Sequence, residues 1–434
     1  MSSIAPPPIP TTNGAVNGAS KAKPVNGAPS SQASGPTQMS GTELLAYIFE
    51  ECERRGVSDI QVRSNRHVFV ETNNGMECLD ALGVLASSSV AKIYEALIVN
   101  RESTNHGFGN ASSSIEERGD AKVRQAIEKI RTDQVDDFSC NGIPLPNGEV
   151  SGRLRIQAHL SSSGLGLTCR ILNDSIPPLE VLGFDDDTMH CLRQAVKRRA
   201  GLCLVTGPTG SGKSTTFASI IDWLRQNTAK HIVTVEDPVE YVYPHDQDDP
   251  NGSGGKVPSK SVLTQQEVGR DLESYRQGLK DVLRKAPHVI LVGEIRDREA
   301  MDTCLEAAQT GHLVLSTLHT TGAVKTMGRI LEMYPSERQQ AVLNRLGEML
   351  VFIMSQGLLK GVDRRVLTYE FLQNNDDRTS SSILNYSKGK QALEDVIRAA
   401  GNVEWDANLT QLLRKGLITE EAFENAKMNR SNGT

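Results

Sequence analysis

The stretch that decides the fold is Gly201-Leu202-Cys203-Leu204-Val205-Thr206-Gly207-Pro208-Thr209-Gly210-Ser211-Gly212-Lys213-Ser214-Thr215. A short apolar run leads into the pattern G-x-x-x-x-G-K-S, and a helical pattern follows over 216–224. A strand, a glycine-rich loop and a helix in this order are typical of a phosphate-binding loop. The backbone N–H groups of such a loop and the N-terminus of its helix attract phosphate oxygens. The stretch therefore predicts binding of a nucleoside triphosphate.

Individual side chains of this loop have predictable roles. Lys213 is expected to neutralise the β- and γ-phosphate oxygens, and the Ser214 hydroxyl is expected to ligate Mg²⁺. The predicted nucleotide-binding residues are Gly207, Pro208, Thr209, Gly210, Ser211, Gly212, Lys213, Ser214 and Thr215.

Composition narrows the class of protein. The 434 residues leave room for roughly two or three domains. A net charge of −6 and an aromatic content of 4% argue against direct nucleic-acid binding, which uses basic channels and stacking aromatics. No apolar run approaches the roughly 20 residues of a membrane span. The 7 cysteines are scattered and never in C-x-x-C spacing, which disfavours a zinc ribbon or a disulfide framework. We expect a cytoplasmic protein that meets a membrane only through partners.

The first half of the chain divides into a tail and a domain. Residues 1–40 are mostly Ser, Pro, Ala, Gly and Asn, and such a segment buries too little apolar surface to order itself. We therefore predict a disordered tail over 1–40. Residues 41–175 mix helical and strand patterns and are interpreted as an α+β domain. Ile176-Pro177-Pro178 is the predicted linker, because consecutive prolines interrupt both element types.

The second half has an α/β pattern followed by a helical one. Over 179–335 helices alternate with apolar runs, which is typical of a parallel sheet with crossover helices. Residues 336–434 are predicted to form a helical C-terminal domain that begins with one long helix over 337–359. The segment Pro244–Lys260 is rich in Asp, Gly, Ser and Pro and is predicted to be a long surface loop.

Chemically useful groups follow the predicted parallel strands. Ligands of open parallel sheets bind at the carboxyl ends of the strands. The runs and their endings are Leu202–Thr206 before the phosphate loop, His231–Val235 before Glu236-Asp237, His288–Val292 before Gly293-Glu294, and Leu313–Leu318 before His319. The sequence therefore predicts carboxylates and an imidazole around the triphosphate.

Glu294 is the predicted base that orients the attacking water, because the apolar strand before it can raise the pKa of a carboxylate. The alternative is an acid in the first turn of the following helix. Glycine occupies position 293, where an aspartate commonly supports Mg²⁺. That support is assigned to Glu236 and Asp237, although Asp237 before a proline could instead start a turn.

The two histidines near the last strand are treated separately. His319 follows the strand on the phosphate side and is the predicted γ-phosphate sensor. His312 precedes the strand and lies about 23 Å away if the segment is fully extended. For His312, a structural role is an equal alternative.

Four of these segments together resemble the PilT/GspE superfamily of type II and type IV secretion and pilus motor ATPases. Gly207–Thr216 is similar to its Walker A motif and Thr234–Glu240 to its Asp box. Val289–Asp297 matches its atypical Walker B motif, in which glycine normally precedes the glutamate. Ala307–Thr320 is similar to its His box. The resemblance covers most of the chain except the tail.

The resemblance implies a hexameric ring motor that hydrolyses ATP with Mg²⁺ and powers secretion or pilus dynamics. It also implies a PAS-like N-terminal domain joined to a RecA-like core, and inner-membrane platform components as partners of a peripherally associated cytoplasmic protein. Family members place arginines of the N-terminal domain near the nucleotide. The matching positions are Arg153, Arg155 and Arg170, of which Arg155 and Arg170 are predicted to act on it. The alternative is a solvated strand face.

Departures from the superfamily pattern point to a branch. The chain has no tetracysteine element, and Ala286 and His288 replace acidic residues that are frequent in the family. The loop Pro244–Lys260 is longer than in retraction ATPases, and a polar insertion lies near 101–116. These features favour the DotB-like and TraJ-like branch of type IVB secretion and conjugation. A pilus retraction ATPase, a RecA-like nucleic-acid motor and a small-molecule kinase remain as alternatives.

Overall fold

The computed structural model describes residues 38–431 except 56, 73–74, 104–114, 141–151, 173–174, 249–254 and 400. The predicted disordered tail lies outside the described residues except for its last three. Two of those three contact the folded domain: Met39 packs against its apolar core, while Ser40 Oγ accepts a hydrogen bond from Glu43 N and Glu43 Oε2 accepts one from Ser40 N. This reciprocal capping box starts the first helix. Most of the predicted insertion near 101–116 also lies outside the description.

In its described residues, the first domain consists of a 6-stranded antiparallel sheet with three α-helices. The strand order is β3-β2-β1-β6-β5-β4. The elements are α1 Gly41–Arg55, β1 Asp59–Arg63, β2 Phe69–Thr72, β3 Gly75–Cys78, α2 Ser87–Ser103, α3 Ile115–Asp133, β4 Val135–Cys140, β5 Leu154–Ser161 and β6 Gly164–Ile171. A short 3₁₀ turn, Asp80–Leu82, precedes α2.

One face of this sheet packs on the helices. Helix α2 contacts β1, β4 and β6, and it also contacts α1 and α3. Along β5 every second residue is buried at first, with Leu154, Ile156 and Ala158 directed to the core. The residues between them, such as Arg155, lie on the opposite face.

The second domain is a 7-stranded sheet with strand order β11-β8-β12-β13-β7-β14-β15. All its pairings are parallel except that of β14 with β15. Its elements are α4 Asp186–Val196, β7 Gly201–Thr206, α5 Lys213–Asn227, β8 His231–Glu236, β11 Val262–Glu267, α6 Tyr275–Val282, β12 Val289–Val292, α7 Arg298–Gln309, β13 Leu313–Leu318, α8 Ala323–Glu332, α9 Ser336–Met349, β14 Leu350–Lys360 and β15 Arg365–Gln373.

Alternate strand residues enter two separate apolar cores. Leu202, Leu204 and Val233 belong to one core, and Cys203 and Val205 belong to the other. Burial of both faces explains why these strands are continuous apolar runs. The predicted surface loop Pro244–Lys260 contains a small hairpin of β9 Asp246–Asp248 and β10 Lys256–Pro258.

The prediction of a helical region from residue 336 onward is wrong over 350–373. Helix α9 ends at Met349 and β14 begins at the next residue, without an intervening loop. Strand β14 pairs with β7 and β15 pairs with β14, so both strands belong to the second sheet. The buried run Leu350–Met354 carries no alternation that distinguishes a strand from a helix, and the nearest glycine, Gly347, lies inside α9 rather than at the boundary.

A helical extension follows the sheet, as predicted, but begins at Asp377. It consists of α10 Asp377–Leu384, α11 Gln391–Ile397, α12 Trp405–Arg414 and α13 Glu420–Ser431. Helix α12 packs on β15 and α13 on β14. Among the described residues, no helix is both long enough and apolar enough to cross a bilayer.

Candidate active site

The phosphate loop joins β7 to α5 at the carboxyl end of the sheet. Gly207 has φ 146° and Gly212 has φ 87°, both in the region that favours glycine. A Cβ on Gly207 would lie 2.3 Å from the carbonyl oxygen of Gln356. The loop therefore depends on glycine for its backbone conformation and for its close contact with β14.

Lys213 lies inside this loop. Its Nζ donates hydrogen bonds to the carbonyls of Gly207, at 2.8 Å, and Pro208, at 3.0 Å. Burial lowers the pKa of Lys213, while Glu294 and Glu240 act in the opposite direction. The ammonium group thus lies within the phosphate loop and interacts electrostatically with the Glu294 and Glu240 carboxylates.

Gln356 on β14 supports the phosphate loop and was missed by the sequence analysis. Its Nε2 donates to the Ser211 carbonyl at 2.7 Å, and its Oε1 accepts from Thr216 Oγ1 at 3.0 Å. Gln356 is buried. It escaped notice because its segment was predicted to be helical, which would have placed it away from the loop.

Side chains from neighbouring strand ends form a chain of contacts, in which Arg296 contacts Glu294 and Asp237, and Glu294 contacts His319. Glu294 Oε2 lies 3.3 Å from Arg296 Nε, and Asp237 Oδ2 lies 3.5 Å from Arg296 Nη1. Glu294 Oε1 lies 3.5 Å from His319 Nε2. The structure thus brings together Glu294, His319 and Asp237, as the strand-end argument predicted. Arg296 had no predicted role, although it stands only two residues after Glu294.

The environment of His319 favours the neutral form of its imidazole. Burial lowers the pKa of His319, and so do the positive charges of Lys213 and Arg296. Glu294 acts in the opposite direction without reversing the shift. A neutral imidazole can donate one hydrogen bond and accept another.

Glu236 lies in a different environment from Glu294. Burial raises the pKa of Glu236 to about 7, although hydrogen bonds from Thr234 and Gln265 oppose this rise. Thr234 Oγ1 donates to Glu236 Oε1 at 2.6 Å. Within the described residues, no hydrogen bond or ion pair joins Glu236 to Glu294 or His319.

The glycine before Glu294 has a steric cause. A Cβ on Gly293 would lie 2.8 Å from the Tyr275 hydroxyl and 3.3 Å from the Val235 carbonyl oxygen. The Tyr275 ring also lies 5.7 Å from the Arg296 guanidinium. Tyr275 thus fills the space that a side chain at position 293 would occupy.

Arg155 and Arg170 lie side by side on the outer face of the first sheet. They are direct partners on β5 and β6, and Ser139 is the partner of Arg155 on β4. Arg170 Nε lies 2.8 Å from Asp59 Oδ1. In the described part of the chain, neither arginine makes a hydrogen bond or ion pair with the second domain. The structure therefore does not bring them to the phosphate loop.

His312 lies at the opposite end of β13 from His319. Its Nδ1 lies 2.9 Å from the Ala307 carbonyl oxygen and 3.2 Å from Thr310 Oγ1. These contacts join the end of α7 to the start of β13, which fits the structural alternative.

Known proteins with similar sequences include pilus motors. The chain is 34% identical over 323 residues to a twitching motility protein of Neisseria gonorrhoeae, covering 74% of this chain and 79% of that protein. It is 36% identical over 287 residues to the type IV pilus retraction ATPase PilT of Pseudomonas aeruginosa, covering 64% and 78%.

Solved structures confirm the predicted fold class, an α/β RecA-like core with an N-terminal α+β domain. The pilus retraction motor PilT with bound ADP is 32% identical and superposes with a TM-score of 0.69, covering 88% of this chain and 96% of that one. The Legionella pneumophila ATPase DotB is 24% identical, with a TM-score of 0.70 and coverage of 92% and 98%. This second likeness shows the fold alone.

A family model described as Type II/IV secretion system protein matches residues 120–420, which include every strand of the 7-stranded second sheet and all four motifs. The resemblance drawn from the motifs is thereby confirmed: the chain belongs to the Type II/IV secretion system protein family.

Proposed function

We propose that this chain is the subunit of a homo-hexameric motor that hydrolyses ATP with Mg²⁺ to drive type IV secretion or pilus dynamics. The observation that carries the proposal is the cluster of Glu294, His319, Arg296 and Asp237 beside a phosphate loop that encloses Lys213. Phosphoryl transfer requires this combination of positioned charge, a water-orienting group and a phosphate sensor.

The residues present fit a magnesium ion. Ser214 lies in the first turn of α5 with an exposed side chain, and Asp237 presents an exposed carboxylate at the end of β8. Hydroxyl and carboxylate oxygens are ligands that Mg²⁺ accepts. When bound, the ion would neutralise charge on the β- and γ-phosphates.

Each remaining side chain has a distinct part in hydrolysis. The loop from Gly207 to Thr215 and the ammonium of Lys213 hold the phosphates. The Glu294 carboxylate orients the attacking water and accepts its proton, and neutral His319 donates a hydrogen bond to the γ-phosphate. Glu236, with its pKa near 7, supports the metal side of the site once it is ionised.

Arg155 and Arg170 would supply further positive charge after a movement of the first domain. They lie in one cross-strand row with Ser139, whose hydroxyl already contacts Glu267 of the second domain. The row therefore lies next to the domain contact. A rigid-body rotation could carry these arginines toward the phosphates of their own or an adjacent subunit.

Two assignments within the family remain in view. The hairpin-bearing loop Pro244–Lys260 and the insertion near 101–116 favour the secretion and conjugation branch. The identity of 36% to a pilus retraction ATPase favours retraction. In either role the motor would work on the cytoplasmic side of the inner membrane, against platform components rather than nucleic acid.

Glu294→Gln tests the proposed function. The amide keeps the shape of the side chain but cannot accept a proton, so ATP should remain bound while phosphate release falls by about 10² or more. Glu306→Gln is the matched control, because Glu306 is exposed on α7, away from the cluster. Phosphate release and the amount of retained ATP would be measured on the hexamer isolated by size-exclusion chromatography. Normal turnover by Glu294→Gln would refute the assignment.

A further inference from the structure

A buried arginine of the first domain forms hydrogen bonds with the loop that follows β8. Arg153 stands just before β5 and is 7% exposed. Its Nη2 donates to the Val239 carbonyl at 2.8 Å, and its Nη1 donates to the Glu240 carbonyl at 2.9 Å. The backbone of Arg153 is itself fixed, because Leu172 N donates to its carbonyl at 2.7 Å. One guanidinium thus holds two consecutive peptide groups of the other domain.

The same loop is held a second time, through Glu267 at the end of β11. Glu267 Oε2 accepts a hydrogen bond from Val239 N at 3.0 Å and another from Ser139 Oγ at 3.0 Å. Glu267 is 2% exposed, and Arg270 Nη1 lies 3.7 Å from the same oxygen. Ser139 belongs to β4 of the first domain. The N–H and the C=O of Val239 are therefore both bound, and each bound group connects to the first domain.

Such contacts are strong because they are buried and charge-assisted. Hydrogen bonds with an ionised partner are roughly twice as strong as neutral ones. A planar guanidinium can serve two acceptors in fixed geometry, whereas an ammonium cannot reproduce that fork. A movement of the first domain must therefore either pull the loop along or break several buried bonds.

The loop leads directly to the active site. Asp237 precedes Val239 by two residues, and its carboxylate lies 3.5 Å from Arg296 Nη1. Arg296 in turn lies 3.3 Å from Glu294. A continuous path of contacts thus runs from Arg153 through the loop to the predicted base.

We propose that Arg153 is a positioning residue that transmits the orientation of the first domain to Asp237. It does so through its hydrogen bonds to the Val239 and Glu240 carbonyls, together with the hydrogen bond from Ser139 to Glu267. This deepens the proposed function and rests on it. Arg153 differs here from Arg155 and Arg170, because its side chain is engaged with backbone carbonyls and acts on the loop rather than on phosphate.

Hydrogen–deuterium exchange of the full chain tests the hydrogen bonds between Arg153 and the loop, and it requires no ATP hydrolysis. In Arg153→Lys, the amide of Val239 and its neighbours over 237–243 should exchange about tenfold faster than in the wild type, which corresponds to a loss of about 1.4 kcal/mol of local protection. Arg63→Lys is the matched control, because Arg63 is an exposed arginine on β1 of the same sheet. Ser139→Ala is a milder variant that removes the other contact and should accelerate the same amides.

Kinetics then separate positioning from direct action on nucleotide. Arg153→Lys should lower kcat about tenfold and leave ATP affinity within about twofold, since the phosphate loop is untouched. Arg153→Lys and Glu267→Gln should be non-additive in kcat, because both act through one loop. Lower kcat with unchanged exchange over 237–243 would overturn the proposal in favour of direct contact with phosphate. Unchanged exchange in both Arg153→Lys and Ser139→Ala would overturn it as well.

Failure of the proposed function has a different signature. A wild-type chain that binds ATP but never releases phosphate would contradict the motor assignment. The exchange experiment would still decide whether Arg153 and Ser139 hold the loop, because it is performed without nucleotide.

Discussion

Gly293→Ala should destabilise the ATPase core, and a second substitution should repair it. The added methyl group would lie 2.8 Å from the Tyr275 hydroxyl, closer than carbon and oxygen approach without a shift. Overpacking of this kind costs about 1–3 kcal/mol. Replacing glycine by alanine also stiffens the unfolded chain, which returns about 0.4–1 kcal/mol. The net expected loss therefore lies between about 0 and 2.6 kcal/mol, with its middle near about 1.3 kcal/mol.

The clash also has a functional consequence. A shift of the Tyr275 ring would relieve the clash, and this ring lies 5.7 Å from the Arg296 guanidinium. Arg296 contacts Glu294 and Asp237, so ATP turnover should fall together with stability. Tyr275→Phe removes the clashing oxygen and keeps the ring. The double variant should recover most of both losses, while Tyr275→Phe alone should change little.

A double-mutant cycle measures these effects. The urea midpoint of the core transition and the rate of phosphate release would be recorded for the four proteins. A coupling energy near zero would show that Tyr275 does not exclude a side chain at position 293. A wild-type midpoint for Gly293→Ala would refute the steric argument altogether.

Three further predictions follow from the site. Lys213→Ala should lower ATP turnover by about 10²–10³, because it removes the positioned counter-charge to the phosphates; turnover within a few-fold of wild type would contradict this. Gln356→Met keeps the side-chain volume but removes the hydrogen-bond partner of the Ser211 carbonyl and of the Thr216 hydroxyl. Thermal unfolding should therefore show a free energy of unfolding lower by about 2–4 kcal/mol, and ATP binding should weaken. Gln340→Met, at an exposed position, should change neither quantity. The pKa of Glu236 is raised from 4.5 to about 7, so the folded state holds the proton of this carboxyl group more tightly than the unfolded state does. The stability of the wild type relative to Glu236→Gln should therefore fall as pH rises between those two values. Parallel pH profiles of the two unfolding midpoints would contradict the raised pKa.

Local sequence patterns were sufficient to predict much of the candidate site. The glycine spacing from Gly207 to Gly212 specifies a phosphate loop whatever surrounds it, because backbone conformation and helix position are local properties. The polar groups after each apolar run, Glu294 and His319 among them, meet because the carboxyl ends of parallel strands share one edge. That rule needs only the strand assignment, and the strand assignment came from local hydrophobic runs.

Other features depended on contacts between distant segments. Gln356 braces the phosphate loop only because β14 inserts beside β7, and a doubly buried run such as Leu350–Met354 does not reveal whether it is helix or strand. Arg153 alternates with apolar residues like any strand arginine, and its difference from Arg155 appears only where the second domain supplies carbonyls to it. Local sequence thus determined which chemical groups the site contains. The tertiary structure decided which side chains hold them in place, since that depends on residues more than 80 positions apart that become neighbours only on folding.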